Sequence, residues 1–338
     1  MNSSPKTIRA SFLARVDCPL VDKIFDESRR ERIARHAQLN PLVLTPDNIE
    51  KYRNEAAQTE VLFTCWGSPH ELLTPDRFPA LRLVLFSGGS VKAFARPLLK
   101  RGVHVVGARA ANAIAVTHFC LAQIILACKG YFRNTQMCRD AETMHSPKCF
   151  TGPGLYGEKI ALLGMGAVAR ELALLLKSFD LEVLAVDPYL TPAEAGELGV
   201  KLVTNEEAFA KAYIVSNHLP NLPELKGVLD RKLFFSMRPN ATFINTGRGA
   251  QVNETDLIEM ARTRPDFTAL LDVTEPEPPV VGSPLYELPN VQLSSHIAGA
   301  LNDEVHRQGD FVIEEFERYA AGQPLQHADT LETLDRLA

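Results

Sequence analysis

At 338 residues, with 46% hydrophobic and 23% charged side chains, the chain has the composition of a soluble globular protein and room for about two domains, each with its own core. A net charge of −5 offers no long-range attraction to nucleic acid or to an anionic membrane. Six cysteines without a C-x-x-C pair argue against a structural zinc site or a disulfide framework, so no metal is expected and free thiols in a reducing cytoplasm are the simpler account.

The opening segment, MNSSPKTIRASFLARV, has no apolar core long enough for a secretory leader. The first third then alternates apolar runs with charged stretches of helical period. Residues 8–13, 61–66, 81–86 and 103–106 read as strands, and residues 27–36, 47–58 and 91–101 as helices. Such alternation implies parallel strands joined by crossover helices. A long helix beginning near Ile114 follows. Its apolar stretch, residues 113–128, is interrupted by Thr117, His118 and Gln123 and is expected to fall short of the ~20 residues a spanning helix needs. Residues 146–157, with their prolines and glycines, read as an exposed excursion.

A second series begins at KIALLG and continues through EVLAVD, YIVSNH, ATFINTG, FTALLDV and VQLSS as strands. Helices are expected near residues 168–179, 206–211, 230–237 and 254–264. Six strands in this order predict a doubly wound dinucleotide-binding domain. The last amphipathic segment, residues 302–321, is expected to return to the first domain. The fold class that follows is α/β, with two Rossmann-like or flavodoxin-like parallel-sheet domains. The discontinuous substrate domain is drawn from residues 1–112 and 300–338, and the NAD domain from residues 113–299.

The cofactor signal lies in KIALLGMGAVARELALLLKSFDLEVLAVDPY. Gly164 permits a tight turn, Gly166 lets the backbone approach a pyrophosphate, and a helix N-terminus offers free N–H groups. Ala169 takes the third small-residue position, and Asp187 ends the next strand eighteen residues later. A carboxylate there accepts ribose hydroxyls and repels a 2′-phosphate, which favours NAD over NADP.

Three later residues supply what hydride transfer to a 2-oxo acid requires: Arg248 in NTGRGAQV, Glu277 in DVTEPEPP and His296 in SSHIAGA. Arginine can grip a carboxylate through two parallel donors, histidine can exchange the carbonyl-oxygen proton, and glutamate can keep that histidine protonated. Backbone N–H groups around Ser87, Gly88 and Gly89 are expected to complete a carboxylate site in a cleft between the domains. Each residue also has a plainer reading. Arg248 can satisfy a turn, Glu277 can be a solvated loop charge with Glu275 as its rival, and His296 can be a packed core histidine.

With these motifs in hand, the chain resembles the D-isomer-specific 2-hydroxyacid dehydrogenases. The resemblance runs from LRLVLFSGG through LLGMGAVA, VDPY, SNHLPNLPELKGVLD, INTGRGAQVN and LLDVTEPEP to NVQLSSHIAGA. It implies that Arg248 orients the substrate, His296 is the proton donor and Glu277, five residues after Asp272, is its partner. It further implies Asp272 against the nicotinamide carboxamide and Ala167 and Val168 at the pyrophosphate. His218, Pro220, Thr246, Gly247, Ala298 and Gly299 would line the cofactor; a packing role for His218 and a loop-capping role for Asp272 stay open beside these. A homodimer and a small 2-oxo or 2-hydroxy acid substrate are implied by the same resemblance. The alternative is an NAD(H)-sensing, corepressor-like scaffold with weak or no catalysis. Two departures stand out. Val116-Thr117-His118 replaces the family's frequent Val-Ala-Glu, and SGGSVKAF lacks the Asp often found after the glycines. No effector-binding module of the kind seen in some phosphoglycerate dehydrogenases is expected after Ala338.

Overall fold

Two parallel sheets organise the chain, and the computed structural model describes residues 7–336 of it. Residues 1–6 of the segment read for a leader therefore lie outside the described residues. The chain divides into two compact units, Met1–Asn112 with Ala300–Ala338, and Ala113–Gly299.

The first unit holds β1 (Ile8–Leu13), β2 (Ala37–Leu44), β3 (Val61–Thr64), β4 (Leu83–Phe86) and β5 (His104–Gly107). They pair in the order β2-β1-β3-β4-β5, every pairing parallel. Strands β3 and β4 are buried along their whole length, as parallel strands covered on both faces must be. The late helix Val305–Ala320 packs Val312, Ile313 and Phe316 into the core around Phe12, Phe25 and Phe63. Phe316 meets Phe63 edge-on at 5.4 Å. This return makes the unit discontinuous in sequence, as the amphipathic pattern implies.

The second unit holds β6 (Tyr156–Leu163), β7 (Asp180–Val186), β8 (Val200–Leu202), β9 (Ile214–Asn217), β10 (Thr242–Asn245), β11 (Thr268–Leu271) and β12 (Val291–Leu293). Their order is β12-β11-β10-β9-β6-β7-β8, all parallel. The sheet therefore has seven strands where the sequence reading gives six. Chain order reverses at β6, whose neighbours are β7 and β9, so the carboxyl end of β6 is the topological switch point where ligands of such sheets bind. Side-chain caps start the surrounding helices: Thr204, Asp230 and Asn253 each accept a backbone N–H three residues on, and Thr191 forms a capping box with Glu194.

The long helix runs Arg109–Cys128, twenty residues. By length and composition alone it suffices to cross a membrane, which corrects the expectation that its apolar stretch falls short. Its Cys120, Ile124, Ala127 and Cys128 are buried in the core of the second unit, packed with Ile160, Leu162 and Leu172, as a core helix of a folded domain is. His118 is exposed on it, while buried Thr117 donates to the Val168 carbonyl at 3.2 Å.

Candidate active site

The turn after β6 separates two uses of glycine. Gly164 adopts φ +82°, and a Cβ there would meet the His218 carbonyl oxygen at 2.9 Å and the Leu219 backbone at 3.0 Å. The protein's own packing demands glycine at that point. Gly166 is different. It caps the helix Ala167–Leu176 with φ −76° and ψ −165°, open to any residue, and a Cβ there would meet nothing within 4 Å. No protein atom lies close enough to require glycine there, and the free N–H groups of the ten-residue helix behind it are open to an anion. Ala167 is exposed, Val168 half-buried and Ala169 fully buried against the sheet.

Asp187 follows β7 and turns back onto this loop. Its Oδ2 accepts from Met165 N–H and its Oδ1 from Tyr189 N–H, both at 2.7 Å. Each oxygen retains a second lone pair, so a ribose diol is compatible with the loop-bracing role.

At the ends of β9 and β10 lie His218, Pro220, Thr246, Gly247 and Arg248. His218 bridges Ser216 Oγ (2.9 Å) and Thr246 Oγ1 (3.4 Å), and Thr246 Oγ1 also contacts Cys120 Sγ at 3.2 Å. Burial drives the His218 ring down to about 4 and the Cys120 thiol up to about 12, so both are neutral near pH 7. The Arg248 guanidinium donates to the Gly247 carbonyl at 2.7 Å. Burial lowers its affinity for the proton, and the Glu277 charge acts in the opposite direction.

Asp272, 2% exposed at the end of β11, organises the histidine loop. Its Oδ1 accepts from Ser294 Oγ (2.6 Å) and Ile297 N–H (2.8 Å), its Oδ2 from Ala298 N–H (3.0 Å), and its carbonyl from His296 N–H (3.1 Å). These bonds hold His296 at φ +57°, a left-handed conformation that non-glycine residues adopt only when the surroundings enforce it. The ring then meets its partner: His296 Nδ1 lies 2.7 Å from Glu277 Oε1. Of the two rival acids, Glu277 and not Glu275 makes this contact. Gly249 lets the acid loop lie close, since a Cβ there would sit 1.9 to 2.4 Å from the Thr274–Glu275 backbone. Glu277 and His296 thus meet within the second unit, and the Glu277 charge is felt at Arg248. A cavity of about 390 Å³ adjoins the pair, lined by Asp272, Glu277, Pro279, Tyr286 and Leu293 among others.

In the first unit, Ser87 is fully buried, and both its N–H (2.9 Å) and its hydroxyl (3.0 Å) donate to the Thr64 carbonyl. The expected backbone donor at Ser87 is therefore already committed, leaving Gly88 and Gly89 of the three. A Cβ on Gly88 would overlap the Phe86 ring at 2.3 Å, which accounts for that glycine by packing.

Sequence reading passed over Asn217, Asn245 and Gln251, whose amides join the ends of β9 and β10. Three polar side chains at strand ends and a turn give no periodic signal; only their shared burial marks them.

The family model described as D-isomer specific 2-hydroxyacid dehydrogenase, NAD binding domain, matches residues 121–298. The chain belongs to this family, and its cofactor is NAD. It is 29% identical over 236 residues to D-3-phosphoglycerate dehydrogenase of Archaeoglobus fulgidus, an alignment that covers 70% of this chain and spans 44% of that protein. Among solved structures it is similar to the apo D-mandelate dehydrogenase of Rhodotorula graminis, with a TM-score of 0.77 at 20% identity, covering 95% of this chain and 97% of the other. It is also similar to an acyclic imino acid reductase in complex with NADPH and D-Arg, with a TM-score of 0.74 at 19% identity, covering 95% and 100%. Likenesses at that identity establish the fold alone.

Proposed function

We propose that the chain is an NAD-dependent oxidoreductase interconverting a small 2-oxo acid and its D-2-hydroxy acid. The observation that carries this reading is the 2.7 Å contact of His296 Nδ1 with Glu277 Oε1, within electrostatic range of Arg248. A carboxylate only accepts, so Nδ1 holds a proton toward Glu277 and Nε2 is left to exchange one with the substrate oxygen. Arg248 grips the substrate carboxylate and stabilises negative charge on the adjacent carbonyl oxygen. Bound NADH supplies the hydride.

Gly164, Gly166, Ala167 and Val168 hold the pyrophosphate in this reading, and Asp187 the adenosine ribose. His218, Pro220, Thr246, Gly247, Ala298 and Gly299 line the nicotinamide half. Asp272 is limited by its own bonds: Oδ1 already accepts two hydrogens and Oδ2 one, so a single carboxamide N–H fits, at Oδ2. A homodimer and a cytoplasmic location belong to the same proposal. Tyr131, Met144, Phe150 and Tyr156, all exposed on the second unit, support an apolar contact between copies.

The test is NADH oxidation against glyoxylate, hydroxypyruvate, pyruvate and bulkier branched or aromatic 2-oxo acids. Turnover with at least one of them, lost in His296→Ala and Arg248→Ala, is the expected result. Silence with every acid, in protein that still binds NADH, would favour the sensing scaffold.

A further inference from the structure

We propose that Gln251 is a positioning residue whose two amide ends independently hold the cofactor loop after β9 and the Arg248 turn after β10. The proposal rests on the function assigned above. Gln251 ends the 3-10 turn Gly249–Gln251 and, although its side chain is a long polar amide, it is 1% exposed.

Its donor end, Nε2, reaches the carbonyls of Leu219 (2.8 Å) and Pro220 (2.7 Å). Its acceptor end, Oε1, takes the N–H of Arg248 (3.1 Å) and the Asn217 amide (2.7 Å). Asn217 passes a second hydrogen to Asn245 Oδ1 at 2.9 Å, and Asn245 Nδ2 closes the circuit on the Arg248 carbonyl at 3.1 Å. Arg248 is therefore held at both its N–H and its carbonyl by side chains that also hold the neighbouring strand end. Gly247 completes the fit, because a Cβ there would press on Asn217 Nδ2 and Gln251 Oε1 at 3.0 Å each.

Only a side chain of this length with a donor and an acceptor satisfies both loops. Glutamate keeps the acceptor but offers at most one hydrogen where the amide offers two, methionine loses both ends, and asparagine falls one methylene short. Since buried carbonyls and N–H groups left without partners seek new ones, each loss shifts the loop that was bound.

The two ends predict separable effects, read by NADH fluorescence titration and by steady-state kinetics with glyoxylate, normalised to folded protein by thermal melt and active-site titration. Gln251→Glu is expected to raise the NADH dissociation constant about tenfold and leave the KM for glyoxylate within about threefold of the parent. Gln251→Met is expected to raise both about tenfold, with kcat per active site changed less. A lower melting temperature or smaller active fraction with parental constants, equal effects from the two variants, or failure of both to fold would assign Gln251 to stability alone and overturn the proposal. If the parent reduces no 2-oxo acid, the assigned function fails, while the NADH titrations still decide whether the donor end holds the cofactor loop.

Discussion

Replacing the two glycines of the switch-point turn by alanine separates what the fold needs from what the cofactor needs. At Gly164 the new side chain meets two penalties. The left-handed backbone at φ +82° costs an L-residue about 1–2 kcal/mol, and a Cβ at 2.9–3.0 Å from fixed backbone of His218 and Leu219 adds overpacking of about 1–3 kcal/mol. Together these are on the order of 3 kcal/mol, or roughly a 10 °C fall in melting temperature for a unit of this size. At Gly166 the backbone is unstrained and the space is open, so only the weaker capping tendency of alanine counts, about 0.5–1 kcal/mol. The added methyl nonetheless lies where the proposed site would seat the pyrophosphate. NADH affinity should therefore fall at least about tenfold, worth ~1.4 kcal/mol, while the melt barely moves. Calorimetry and fluorescence titration on both variants give the answer. Parental NADH affinity in Gly166→Ala would refute the assignment of the turn to the pyrophosphate, and an unshifted melt in Gly164→Ala would refute the packing account.

Asp272→Asn places an NH₂ group against a loop that already offers donors from Ser294, Ile297 and Ala298, so His296 should leave its enforced conformation and turnover fall by about a hundredfold; parental kinetics would leave Asp272 without that role. Asp187→Ala should raise the KM for NADH and narrow the gap to NADPH; an unchanged preference would assign Asp187 to bracing Met165 and Tyr189 alone. His218 is held near 4 by burial against an ordinary 6.5, so the unfolded chain takes up its proton first. Its contribution is present above pH 6.5 and is lost as the pH falls toward about 4, and the melting temperature of His218→Asn should vary less over that window than the parent's. His70 in the first unit, also lowered to about 4, remains in both proteins, so a null difference would contradict the burial argument for His218 alone.

Strands with strong patterns were legible from sequence, and edges were not. β2 contains Pro41 and shows no alternation, which an edge strand tolerates because one side of its ladder is unpaired. β8, only three residues long, is likewise an edge strand, at the outer edge of the second sheet. Both escape a reading based on periodicity. The site divides in the same way. Gly164, Asp187, Arg248 and His296 announce themselves through residue type at strand ends, where backbone leaves the sheet. The choice of Glu277 over Glu275 came from the resemblance and not from local pattern, since both acids precede prolines in one short loop, and it is Glu277 that meets His296. The commitment of the Ser87 N–H to Thr64 and the amide circuit through Gln251 depend on partners more than twenty residues away in the chain, which no local pattern encodes.

The most direct measurement uses NADH deuterated at the transferring position of the nicotinamide, with a 2-oxo acid accepted in the panel, and follows the product by NMR and chiral chromatography. The account predicts a D-2-hydroxy acid carrying deuterium at C2, and its disappearance in His296→Ala protein that still binds NADH. Unlabelled product, the L-isomer, or undiminished turnover without His296 would contradict it.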